Sequence, residues 1–383
     1  MMAAQIVKET VFSDDFRRLI AGSSESAALQ KLREEAFAYF EENGFPTQRL
    51  EDWKYTNVAP IAKENWRVEQ PADDSSPVAD ETGLMGRFNF ERNGFAALNL
   101  AFANISIVRI PKETVVDRPI EIVFEGEEEI AAFPHVIVIA EAGSKATLIE
   151  SYSSSAKSFT NAAVQILVED NANLTHYRVQ KESAEAFHYG VTEAMLGRGS
   201  SYNATSINLG GAISRHDIEV KFTAEGSEAW VDGLYMINGT QHSDTHSIID
   251  HIVPNCTSHQ NYKGVLNDKS RAVFNGKVFV RENAHGTDAQ QSNKNLLLSN
   301  DARVDTKPQL EIFNDDVKCA HGATVGQLEE EELFYLSTRG LPENLAKNLL
   351  TYGFAEEIIT KIGIEKIKAE LDDAVLHRLS TVL

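Results

Sequence analysis

Apolar residues follow three textures along the chain. Over residues 27–43, Leu29, Leu32, Ala36, Phe37 and Phe40 recur at helical spacing, and the run closes on Asn43-Gly44, a usual helix stop. From about residue 88 to residue 325 the pattern changes to short runs with period-two alternation, such as Val136-Ile137-Val138-Ile139 and Ala163-Val164-Gln165-Ile166-Leu167-Val168, which predict strands. After Gln327 helical spacing returns, with Leu345, Leu349, Leu350, Phe354, Ile358, Ile359 and Ile362 on one stripe opened by Gly340-Leu341-Pro342. Strands kept apart from helices in this way argue against a doubly wound nucleotide-binding fold, in which the two alternate.

Within the β region a turn recurs. A Gly, Asn or Asp stands three residues before a residue that opens the next strand: Gly143 to Ala146, Asn171 to Leu174, Gly199 to Tyr202, Gly226 to Ala229 and Asp301 to Val304, with a looser anchor at Asp268. The first four anchors are 28, 28 and 27 residues apart. A fixed period of that size suggests a solenoid whose coils bury a core only by stacking. The plainer reading is that any β-rich chain places a turn roughly every 8 to 12 residues and some align by chance. A stretch rich in Pro, Ser and Asp at residues 70–77 reads as an exposed connection. The predicted plan is a helical unit with linker over 1–85, a β core over 86–325 and a second helical unit over 326–383.

Composition narrows the function. The 383 residues carry 36 basic and 57 acidic side chains, a formal net charge of -21. That charge disfavours nucleic acid and anionic membrane surfaces as partners. The first nine residues show no basic stretch followed by an apolar one, and no run approaches the ~20 apolar residues of a membrane span, so a cytoplasmic chain is expected. Two cysteines, Cys256 and Cys319, make no disulfide framework. Neither a phosphate-binding Gly-x-x-x-x-Gly-Lys loop, nor a Gly-x-Ser-x-Gly elbow, nor a His-Glu-x-x-His helix occurs.

The strongest chemical feature is Lys318-Cys319-Ala320-His321-Gly322-Ala323-Thr324. In an extended strand Cys319 and His321 share a face, which would let a thiolate and an imidazole converge on one iron or zinc ion. Two ligands are too few for a closed site; the remainder would come from elsewhere in the chain or from a partner, and the plainer reading is a buried thiol beside a hydrogen-bonded histidine. His242, His246, His251 and His259, with Cys256, form a histidine-rich stretch whose plainer reading is scattered polar strand faces. Asp315-Asp316 and the acids at 329–332 raise a polysaccharide lyase or glycosidase, which needs two acids facing across a cleft. The Glu run reads instead as the first turn of a helix.

Several blocks, in order, resemble the SufB/SufD family: Arg271-Ala272-Val273-Phe274-Asn275-Gly276, Thr287 to Leu298, Val304 to Ile312, Lys318 to Gly326, Phe334-Tyr335-Leu336-Ser337-Thr338-Arg339-Gly340 and Gly353-Phe354-Ala355. Upstream, Glu51-Asp52-Trp53-Lys54-Tyr55-Thr56 looks like the short amino-terminal motif of the SufD branch. SufB proteins carry a functional cysteine where this chain has Ala302, which also favours that branch.

The resemblance implies a mainly β fold, a right-handed parallel β-helix flanked by amino- and carboxy-terminal helical domains, acting as a non-catalytic scaffold in iron–sulfur cluster assembly. It implies SufB as a partner through the β-helix and the ATPase SufC as a partner on the carboxy-terminal helices. His321 matches the histidine placed at the SufB interface near the nascent cluster, with Cys319 beside it. Tyr335, Arg339 and Gly340 are the candidates for supporting SufC contact, Gly340 with the alternative role of a helix cap. No tightly bound cofactor is expected, only transient iron or cluster held with SufB. The isolated chain leaves a homodimer open. The two other readings are a β-helix enzyme on acidic polysaccharide and a stand-alone homodimeric metal-binding protein.

Overall fold

The computed structural model describes residues 10–69, except 24, and 83–381. The expected connection at 70–77 and the first nine residues lie outside the described residues. The chain begins with helices α1 (Thr10–Gly22), α2 (Ala27–Asn43) and α3 (Ala59–Ala62), a two-residue strand β1 (Arg67–Val68) and helix α4 (Gly94–Phe102). The strands that follow are β2 (Asn104–Ile110), β3 (Ile120–Gly126), β4 (Ile130–Ala132), β5 (Pro134–Ala140), β6 (Lys145–Ser154), β7 (Phe159–Val168), β8 (Asn173–Lys181), β9 (Phe187–Leu196), β10 (Ser201–Asn208) and β11 (Ile213–Phe222). They continue as β12 (Glu228–Ile237), β13 (His242–His251), β14 (Thr257–Leu266), β15 (Arg271–Val280), β16 (Thr287–Leu297), β17 (Arg303–Ile312) and β18 (Val317–Gly326). Helices α5 (Glu330–Thr338), α6 (Glu343–Ile359) and α7 (Glu365–Thr381) complete the chain.

The strands alternate between two parallel sheets. One runs β7-β9-β11-β13-β15-β17 and the other, 8-stranded, runs β3-β6-β8-β10-β12-β14-β16-β18, so each coil contributes one strand to each sheet. This is a parallel β-solenoid. In register, Ala146, Leu174, Tyr202, Ala229, Ser258, Ala289 and Cys319 stack strand upon strand along the inner face. All but Cys319 are buried.

The recurrent turn has a backbone cause. Gly143, Asn171, Gly199 and Gly226 have φ of 69°, 58°, 61° and 74°, and the series continues to Asn255 and Gly286 at 58° and 69°. Only glycine and, at small cost, asparagine adopt this left-handed corner readily. Asp268 and Asp301 do not continue that series. They precede β15 and β17 in the opposite sheet, and Asp268 has φ 55° because the second corner of a coil needs a similar bend. The two corners therefore give the same residue signal.

The helix expected over 27–43 forms as α2, held by a cap in which Ser26 Oγ accepts from Leu29 N at 3.3 Å. Its buried face includes one residue the apolar stripe misses. Arg33 donates to Ala101 O at 3.1 Å and Ala103 O at 2.9 Å and pairs with Glu25, so it satisfies the carbonyls that end α4. Strand texture does not begin at residue 88: α4 intervenes, and every one of its residues is buried. An all-round apolar helix carries no amphipathic signature to set it apart from a buried strand.

Helices α6 and α7 lie on the outer face of the 8-stranded sheet. Ala355, Ile358, Ile359, Ile362, Ile367, Leu371 and Val375 pack with Ile149, Tyr177, Ile207, Leu234, Met236 and Val265. Each fully buried isoleucine or leucine contributes roughly 1.5–3 kcal/mol. The stripe expected from Leu345 to Ile362 divides: its second half is core, whereas Leu345 and Leu349 are exposed. The first half of α6 lies away from the apolar cluster on the sheet, which α6 joins from Tyr352 onward.

Candidate functional site

The solenoid ends on an uncovered rung. Strand β17 closes one sheet and β18 the other. Along β15 and β16 the inward positions Ala272, Phe274, Val278, Ala289, Gln291 and Asn293 are buried, whereas none of the residues of β18 is. Among the described residues no further coil stacks on them. A terminal repeat is normally finished with polar residues. Here Ile312 and Val325, 41% and 48% exposed, sit at inward positions, and Phe313, 55% exposed, follows directly. The outer edges of β17 and β18 also leave main-chain groups without a strand partner in the sheet, a ready template for another chain.

Cys319 and His321 lie on this rung, on the same face of β18 as their spacing predicts. Cys319 pairs in register with Ala289 and is half-buried; His321 pairs with Gln291 and is exposed. Burial pushes the Cys319 thiol above its ordinary pKa, an Ala289 main-chain hydrogen bond pulls the other way, and Asp288 adds to the rise. The thiol is therefore protonated near neutrality and a metal would have to displace its proton. Beneath the pair the interior is rich in amides. Gln291 donates to Gln260 Oε1 at 2.6 Å while its own Oε1 is buried without a partner, and Thr306 donates to Asn293 Oδ1 at 2.8 Å. Among the described residues no group of three or more His, Cys, Asp or Glu side chains is arranged to hold a metal ion.

The other expected features scatter. His242 and His246 stand on the outer face of β13; His251 points inward and stacks on Phe222 at 4.3 Å; His259 stacks on Trp230 at 4.2 Å outside β14. Cys256 is buried beside Ser227. Ala302, where a cysteine distinguishes the SufB branch, is a buried small residue packed with Tyr235, Ile237, Leu266 and Ala272. Asp315-Asp316 occupy the turn before β18 and Glu330 to Glu332 the first turn of α5.

Helix α5 buries none of its residues: Phe334 is 72% and Tyr335 56% exposed, and the Arg339 guanidinium lies over the Tyr335 ring at 5.1 Å. Gly340 ends α5. With φ 90° it carries a Schellman closure, its N–H donating to Ser337 O at 3.0 Å and Leu341 N–H to Leu336 O at 3.2 Å.

Sequence reasoning missed a charged network sealed inside the solenoid. Glu150 contacts His176 and accepts from Tyr152 at 2.6 Å; Arg178 contacts His188, whose Nδ1 lies 2.8 Å from Glu182; Thr160 and Gln180 donate to Glu182 at 2.7 Å each. Burial alone would raise both carboxyl pKa values, but the adjacent histidines hold them below the ordinary range. The signal was present in the inward parity of His176, Arg178 and His188 on β8 and β9, positions otherwise filled by Leu, Val and Tyr.

The family model described as the SufBD core domain of the SUF system for iron–sulfur cluster assembly matches residues 123–354, and that of the SufBD amino-terminal region matches residues 10–81. An iron–sulfur cluster assembly SufBD family protein of Synechocystis sp. is 36% identical over 352 residues, 88% of this chain and 76% of that protein. The iron–sulfur cluster assembly protein SufD of Escherichia coli is 38% identical over 257 residues, 66% of this chain and 60% of that protein. SufD of Bacillus subtilis is 26% identical over 382 residues, 96% and 83% of the two chains.

Proposed function

The chain belongs to the SufBD family of iron–sulfur cluster assembly proteins, and on that footing we propose that it is a SufD-type scaffold subunit without a reaction of its own, which pairs with SufB through the uncovered last rung and with the ATPase SufC through its carboxy-terminal helices. The observation that carries this reading is the last rung itself, with apolar inward positions and strand edges open to a partner. A SufB β-strand rung laid against β17 and β18 would bury Ile312, Phe313 and Val325 and close the sheet edges. Cys319 and His321 would then face the joint, one soft and one borderline ligand for iron in transit, completed by SufB residues. The exposed Phe334 and the Arg339-Tyr335 pair on α5 support SufC docking. Gly340 acts through the helix end it closes.

The test is co-expression with SufB and SufC of the same organism, followed by size exclusion. The expected result is a ternary complex from which Phe313→Glu with Val325→Lys removes SufB, while Phe334→Ala with Tyr335→Ala removes SufC. A chain that elutes apart from both partners contradicts the reading.

A further inference from the structure

The Glu51-Asp52-Trp53-Lys54-Tyr55-Thr56 motif is laid across the outer face of the other sheet, far in sequence from the rung it reaches. Its place is fixed by Trp53, whose ring carries the Arg215 guanidinium at 3.7 Å and stacks on Phe95 at 5.5 Å. Thr56 donates to Asp244 Oδ2 at 2.6 Å, Arg215 donates to Asp52 O at 2.6 Å, and Lys307 donates to Glu51 at 3.1 Å. The motif thereby roofs two cavities of about 140 and 110 Å³ that share Asp52, His246 and Asn275 in their walls.

The floor consists of two neighbouring ladders on the outer face, Arg215-Asp244-Val273-Asp305 and Asp217-His246-Asn275-Lys307. One acceptor there is left over. Asn275 Oδ1 is buried without a hydrogen-bond partner among the described residues, and Asp244 Oδ1 is buried with His246 Nε2 3.1 Å away; both residues are more than nine-tenths buried. A leftover acceptor costs about 1–3 kcal/mol unless something donates to it. Asp305, in the same cavity, has no ion-pair partner among the described residues, whereas Lys307 is taken by Glu51. The second cavity has the opposite character. Its wall holds Arg92, whose Nη2 pairs with Glu193 and Glu219 while its Nε is buried without a partner among the described residues, and Lys277, whose carboxylate partner among the described residues is Asp52 at 3.8 Å.

An acceptor, Asn275 Oδ1, lacks a donor at one end and a donor, Arg92 Nε, lacks an acceptor at the other, in two cavities that share Asp52, His246 and Asn275 as walls. We propose that this roofed cleft is a binding site for a small zwitterion, a free amino acid whose ammonium lies against Asp244, Asn275 and Asp305 and whose carboxylate lies toward Arg92 and Lys277. The site lies on the outer face at β17, whereas Cys319 and His321 are on the inward-parity face of β18, and its existence does not depend on cluster assembly. It joins the amino-terminal motif to β17, so occupancy would fasten the motif to the last coil.

The experiment is calorimetric titration and thermal unfolding of the full chain with glycine, β-alanine and 4-aminobutyrate, and with methylammonium and acetate as one-ended probes. At least one zwitterion should bind with unit stoichiometry and raise the unfolding temperature, more than either one-ended probe. Asp244→Asn disturbs the Arg215 pairing and is a poor choice of variant. Asn275→Ala removes an oxygen that bonds to nothing within the fold, so the variant should unfold like the parent and bind at least roughly tenfold more weakly. Asp305→Asn should do the same. Absence of binding by all three zwitterions, equal binding of methylammonium or acetate, or unchanged affinity in Asn275→Ala would overturn the assignment.

Discussion

Cys319 and His321 stand on one face of β18, opposite Ala289 and Gln291, at the point where the stacked inner ladder runs out of coils. Every earlier member of the Cys319 ladder is core. The same side-chain positions that build the interior become a surface only because this rung is last.

His321 is exposed, so His321→Ala should leave unfolding free energy within about 0.5 kcal/mol of the parent. Iron and sulfide recovered with the SufB complex should fall. Thermal unfolding of the variant beside iron and sulfide analysis of its complex separates the two effects; a strongly destabilised variant would make His321 a structural residue.

The uncovered rung should make the isolated chain self-associate as its concentration rises, since Ile312, Phe313 and Val325 are exposed. Sedimentation velocity should show dimer that Phe313→Glu reduces. Concentration-independent monomer across the accessible range would count against an exposed pairing surface.

Trp53→Ala should destabilise by about 3–5 kcal/mol, because a buried indole leaves a cavity and removes the ring under Arg215. Chemical unfolding of the variant measures this directly. A loss under about 1 kcal/mol would mean that the amino-terminal motif is held by its other contacts.

Buried histidines set the acid limb of stability. Burial pushes His251 down to about 3, with Ser258 Oγ 2.8 Å from Nε2 and no partner at Nδ1. Above pH ~6.5 it is neutral in both folded and unfolded chains; below that the unfolded chain takes up a proton that the native chain refuses, so stability falls as pH drops from ~6.5 toward the folded value. One such group costs up to about 1.4 kcal/mol per pH unit. His216, also pushed well below its ordinary value by burial, acts with the same sign. Glu150 and Glu182, held low, contribute stability present above their ordinary carboxylate range and lost only in stronger acid, a separate window. Urea unfolding at several pH values between 7.5 and 5 should therefore show a falling midpoint, with a shallower fall in His251→Phe. Parallel curves for the two proteins would contradict this assignment.

Much of this was legible in the residues, and the gaps have physical causes. Left-handed corners at Gly143, Asn171, Gly199 and Gly226 exposed the coil period, and the two-residue spacing of Cys319 and His321 put them on one face. Asp268 misled because both corners of a coil ask for the same backbone shape. Helix α4 was hidden because burial on all sides erases the helical stripe. The isolation of the last rung could not be read at all, since exposure of Val325 depends on the coil that does not follow it. The cleft under Trp53 was equally hidden, because Glu51 and Asp305 meet only through the fold.

Completion of the last rung by a partner chain would be written in the amide hydrogen exchange of β17 and β18. Exchange of residues 303–326 is compared in the free chain and in the chain bound to SufB, with β7 and β9 as protected internal references. Fast exchange along the open edges of β17 and β18 is expected in the free chain, and strong protection there in the complex. Unchanged exchange over 303–326 in a complex that forms through some other surface would contradict it.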